Sequence, residues 1–145
     1  MEHADALLGF YVRQVIAAMG DGSTTTDELA DAGRAMFGPS FFRGVYTRGE
    51  QPEHTRGRYC YIVNTRPAPE PGHWMLVAVA PGRRPVLFDS FARRPGARWQ
   101  PQLRHMALTS PDVDQDYDSE VCGQLCLAAA AVYLTRGLEV FRACA

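Results

Sequence analysis

The sequence predicts a single α+β domain. Three observations carry this: helical periodicity at both ends of the chain, strand-like apolar runs between them, and a composition that can fill one core. The chain has 145 residues, 46% of them hydrophobic and 21% charged. That length suits one domain, and that composition excludes a disordered chain. Residues 1–145 are therefore read as one unit, opened by a helical part over 1–36.

Residues 5–19 place Leu7, Leu8, Tyr11, Val12, Val15, Ile16 and Met19 on one helical face, and Gly20 can end that helix. Thr25 with Glu28 is a capping-box pair, which predicts a second helix over about 26–37, closed by Gly38-Pro39. The middle reads as strands over Phe41–Thr47, Arg58–Thr65, His73–Ala80 and Pro85–Phe91, separated by proline- and glycine-rich turns. Residues 92–115 lack periodicity and read as a covering loop with some strand. In the last helix, Ser119 is the expected N-cap and Glu120 the acidic first-turn residue. Cys122, Leu125, Cys126, Ala129, Val132 and Tyr133 make one apolar stripe, and Gly137 is the stop.

Several classes fall away. The longest apolar run, Leu125 to Leu134, is ten residues, too short for a bilayer. The start, Met1-Glu2-His3-Ala4-Asp5, is acidic where a signal peptide is basic. Cys60, Cys122, Cys126 and Cys144 form no CxxC pair or zinc spacing, so thiols in a reducing, intracellular setting are expected and no metal is. The net charge is −1, but it is segregated. Residues 1–42 carry two arginines against six acids, 43–104 carry eleven against four, and 105–145 carry two against six. An arginine-rich middle is a candidate nucleic-acid surface or simply a solvated face.

Chemistry concentrates in the phrase Gln115-Asp-Tyr-Asp-Ser-Glu-Val-Cys122-Gly123. A cysteine in the first turn of a helix meets backbone N–H groups and the positive end of the helix dipole, which favour the nucleophilic thiolate. Gly123 would let another chain or a substrate approach the backbone closely. The ordinary alternative is a packed core thiol, the reading kept for Cys126. A cysteine nucleophile needs a base. His3 lies in the acidic N-terminus, His54 in a polar loop and His105 after an arginine-rich loop. His73 opens a buried strand and is the best placed. Asp89 interrupts the next apolar strand and is a candidate partner for it. If Ala80 faces Pro85, Asp89 faces Leu76, three residues from His73, and contact needs a bulge or another register.

The order His73, Asp89, Gln115, Cys122 resembles the adenovirus-type maturation proteases (adenain), within the wider Ulp1-like cysteine protease clan. The resemblance runs over about 37–135 and is carried by SFFRGVY (40–46), CYIVNT (60–65), Gly72-His73-Trp74-Met75, VLFDSF (86–91) and Gln115…Cys122-Gly123. It implies a small mixed β-sheet packed against helices, with the nucleophile at the N-terminus of the C-terminal helix. It implies Cys122 as nucleophile, His73 as general base and then acid, and Asp89 as the group that orients the imidazolium. Gln115 and the Cys122 backbone N–H would form the oxyanion hole. No cofactor is needed for that chemistry. Viral precursor proteins are the implied substrates, a viral peptide and DNA the implied activators. The implied setting is the host nucleus or cytoplasm and the virion. Apart from the resemblance, a monomer with no membrane partner is expected.

Four departures stand beside the resemblance. Asp89 replaces the usual glutamate of the adenovirus enzymes, as in the Ulp1-like cousins. Asp116, Asp118 and Glu120 crowd the approach to Cys122. The 92–115 loop is short and has no cysteine, which speaks against a disulfide-linked activating peptide. The chain matches only part of the relative's length, as a minimal version or a fragment would. Two other functions compete with the protease: an isopeptidase removing ubiquitin-like proteins, and a catalytically idle nucleic-acid-binding or scaffolding relative.

Overall fold

The computed structural model describes residues 2–47, 50, 52–64, 74–88, 106–108 and 121–144. Helices α1 (Glu2–Met19) and α2 (Thr26–Phe37) come first. Strands β1 (Phe42–Tyr46), β2 (Tyr59–Asn64), β3 (Trp74–Val79), β4 (Val86–Phe88) and β5 (Ala107–Leu108) follow. Helices α3 (Cys122–Arg136) and α4 (Leu138–Arg142) close the described chain. The strands form one sheet in the order β1-β2-β3-β4-β5. The outer pairs β1/β2 and β4/β5 are parallel and the inner pairs antiparallel, so the sheet is mixed and the domain α+β, as expected.

The capping box forms as the sequence predicts. The Thr25 hydroxyl accepts from the Glu28 amide and the Glu28 carboxylate from the Thr25 amide, each at 3.1 Å. Gly33 of α2 is required by packing. A Cβ there would stand 2.2 Å from the Phe42 ring, so the first residue of β1 lies directly on the helix backbone. β1 then bulges: Phe42 pairs with Cys60 but Val45 with Ile62, and Gly44 inside the bulge takes φ +115°.

β2 and β3 are buried on both faces, and alternate residues build two cores. Cys60, Ile62, Leu76, Ala78, Val86 and Phe88 face the helices. Tyr59, Tyr61, Val63, Met75, Val77, Val79 and Leu87 form a second cluster on the opposite face. The β3/β4 register puts Leu76 opposite Phe88, one residue away from the pairing with Asp89 that a symmetric turn would give.

α3 lies between α1 and the sheet, against β3. One apolar stripe was expected of it, but every residue from Cys122 to Tyr133 is buried. A helix covered on both sides needs no polar face, and the alanines at 128–131 let its neighbours approach closely. Ala4, Leu8, Val12 and Val15 of α1 supply the facing row. At the start of α3 the expected cap is corrected, and at its end the expected stop at Gly137 is met. The helix begins at Cys122 with Val121 as N-cap and no side-chain cap, whereas Ser119 and Glu120 lie outside the described residues. At the other end Gly137 (φ +88°) stops α3, and the chain turns at once into α4, whose Phe141 is buried in the helical-face core.

Candidate functional site

The direction of α3 decides what lies near Cys122. At its C-terminal end, the Tyr133 hydroxyl donates to the Val79 carbonyl at 2.5 Å. Arg58, one residue before β2, donates to the carbonyls of Tyr133 and Leu134. Val79 ends β3 and pairs with Tyr59, which starts β2. The last turns of α3 therefore sit over the Val79/Tyr59 end of the sheet. Eleven residues back along the helix is about 16 Å, and the five steps from Val79 back to Trp74 are also about 16 Å. Cys122 thus comes level with the Trp74/Asn64/Phe88 end of the sheet. Trp74 pairs with Asn64, and the β3/β4 ladder begins with Leu76 facing Phe88.

That end is where the sequence leaves the described residues toward the expected triad. Trp74 immediately follows His73, and Phe88 immediately precedes Asp89. His73, Asp89 and Gln115 themselves lie outside the described residues, as do Asp116, Asp118 and Glu120. Cys122 is described: it is the first residue of α3 and keeps 4% of its surface exposed. Its partner expectation for Gly123 is corrected. The chain's own α1–α2 turn and the start of α2 fill the space over that glycine, and a Cβ there would stand 2.4 Å from Thr24 Oγ1 and 2.7 Å from Leu29 Cδ2.

The remaining thiols are core residues. Cys60, Cys126 and Cys144 are all buried. Burial pushes the Cys60 thiol well above its ordinary pKa and Cys144 up to about 12, with Asp5 adding to the latter. His54, expected in a polar loop, is half-buried. Its Nε2 lies 2.7 Å from the Tyr61 hydroxyl, and burial lowers its pKa. Tyr61 belongs to the sheet face opposite α3, so His54 is separated from Cys122 by the sheet.

Part of the basic middle is engaged in contacts within the chain. The Arg43 guanidinium lies 4.0 Å over the Tyr59 ring and donates to the Ser40 carbonyl and the Thr55 hydroxyl. Arg58 stacks on Tyr133 and Phe41, and Arg83 pairs with Glu139. Arg48, Arg66, Arg93, Arg94, Arg98 and Arg104 lie outside the described residues. Among the described residues no cluster of His, Cys, Asp and Glu could hold a metal, and no helix is long and apolar enough to cross a membrane.

Sequence reasoning missed two polar residues at this end. Asn64 closes β2 and is 8% exposed, and Gln124 is fully buried one step beyond Gly123. The signal for Gln124 was in plain view, an amide between glycine and leucine in an otherwise apolar helix. Against protein-family models and against curated proteins, the chain finds no match.

Proposed function

We propose that this chain is a cysteine endopeptidase of viral type that cleaves precursor proteins through a thioester acyl-enzyme. One observation supports it above the rest: Cys122 opens a buried helix at the end of the sheet where β3 begins one residue after His73 and β4 ends one residue before Asp89. In this reading His73 takes the Cys122 proton and the thiolate attacks the scissile carbonyl. Gln115 and the Cys122 amide stabilise the oxyanion. The imidazolium, held by Asp89, returns the proton to the leaving amine. Water, deprotonated by the same imidazole, then attacks the thioester and frees the acid and the thiol. A nearly covered nucleophile suits an enzyme that admits substrate only when an activator binds. The peptide and DNA implied by the resemblance are the candidates.

The burial of Cys122 and the filled space over Gly123 favour a second reading, an idle relative that keeps the fold without the chemistry. Two measurements separate them. Cys122→Ala should abolish cleavage of a co-expressed viral precursor; undiminished cleavage in that variant would overturn the protease. Iodoacetamide at neutral pH should modify Cys122 at least about tenfold faster than Cys60, Cys126 or Cys144. Equally slow labelling of all four, with the precursor and DNA present as well as absent, selects the idle relative.

A further inference from the structure

We infer that the turn between α1 and α2 is a clamp that sets the position of Cys122, with Gln124 as its positioning residue. The inference rests on the reading of Cys122 as nucleophile. Gln124 is the third residue of α3 and is wholly buried. Its Nε2 donates both hydrogens to the turn, to the Gly20 carbonyl at 3.0 Å and the Gly22 carbonyl at 2.8 Å. Beside it, Thr24 of the turn and Leu29 in the first turn of α2 are pressed onto the Gly123 backbone. The turn is itself fixed at both ends. Gly20 takes φ +88° and closes α1 by donating its amide to the Ile16 carbonyl, while the Thr25/Glu28 box starts α2.

Two amide hydrogen bonds and one glycine contact thus tie the two residues after Cys122 to a segment about a hundred residues away in sequence. Sliding α3 by one residue would move the thiol 1.5 Å along the axis and turn it by about 100°. That shift breaks both amide bonds and drives Gly123 out of register with Thr24. An error of about 1 Å in a nucleophile can cost about a hundredfold in rate.

Packing alone does not explain the glutamine. Gln124 Oε1 is buried with no hydrogen-bond partner, and so is Thr24 Oγ1. A methionine would fill the same space without an orphaned oxygen. What the amide adds is a pair of directional donors, and these fix position.

Gln124→Met tests this, because it keeps the volume and removes the donors. The variant should lose about ten- to a hundredfold in kcat on the precursor at unchanged KM, with Tm within a few degrees of the parent. Amide hydrogen exchange at 20–25 and 122–124 should quicken together. Gln124→Asn, which can reach one carbonyl at most, should fall between, and it carries the test if Gln124→Met does not fold. Parental kcat in Gln124→Met overturns the clamp. If the parent chain itself cleaves nothing, the protease reading falls instead, and exchange decides the clamp: quicker exchange at both segments sustains it, and unchanged exchange overturns it.

Discussion

The two ends of α3 are held in opposite ways. At the Cys122 end backbone is held directly: Gln124 reaches carbonyls of the α1–α2 turn, and the Thr24 and Leu29 side chains lie against the Gly123 backbone with no room to spare. At the Arg136 end the partners are side chains that overlap in purpose. Arg58 lies 4.5 Å over the Tyr133 ring and 5.3 Å over Phe41 while bonding the helix's last carbonyls, where a cation also meets the negative end of the dipole. The Tyr133 hydroxyl adds its bond to Val79, and Arg83 reaches Glu139 of the following helix. The first end fixes position and tolerates little. The second supplies stability through several contacts, each of which the others can partly replace.

The largest break in that contrast should come from Gly123→Ala. A methyl group 2.4 Å from Thr24 Oγ1 has to displace the turn, and overpacking of this kind costs about 1–3 kcal/mol. A fall in Tm of about 3–10 °C is expected by calorimetry. No change would mean that the turn yields and that the two ends do not differ.

Tyr133→Phe should be milder. It removes one buried donor and leaves the Val79 carbonyl without it, at a cost of about 1 kcal/mol by denaturant titration. A loss as large as that of Gly123→Ala would erase the distinction.

Glu139→Gln should be mildest, because both partners of the Arg83 pair are exposed. Its carboxylate is held below its ordinary pKa, first by the Arg83 hydrogen bond and then by the Arg83 charge. A lowered folded-state pKa gives a contribution that is complete above the ordinary carboxylate pKa and lost as the pH falls through the folded one. The variant should therefore match the parent in acid and trail it only slightly at neutral pH, by less as salt rises. A clear deficit at neutral pH in high salt would contradict this.

Much of the architecture was legible because it depends on local rules. The capping pair Thr25/Glu28 placed the start of α2, and apolar runs bounded by proline and glycine placed β2, β3 and the start of β4 within a residue. What depends on partners distant in sequence was not legible. The amphipathic-stripe rule reads a helix against one neighbour, and α3 has neighbours on both sides. Ser119 has the chemistry of an N-cap, but α3 starts at Cys122, where the α1–α2 turn meets Gly123. Gly123 looked like an opening for a substrate because a sequence does not say what stands over a glycine. α4 follows a glycine stop so closely that no linker signal separates it. Arg58 read as one charge in a basic block, though two aromatic rings and two carbonyls hold it in place. For the candidate site, the Cys122 position at the head of a helix was legible. Gln124 was not, since its partners are the bare carbonyls of Gly20 and Gly22.

The packing of α1 on α3 has a consequence for how the chain folds. Tyr11 and Thr135 meet through their hydroxyls across 124 residues of sequence, whereas the β2–β3–β4 meander pairs neighbours. On a ribosome α1 is therefore made long before the helix that covers it, and its row of Ala4, Leu8, Val12 and Val15 has to wait, wet and adhesive, until α3 emerges. Contacts of such long range raise the contact order and slow the final docking step. The helix synthesised early becomes the piece that settles late.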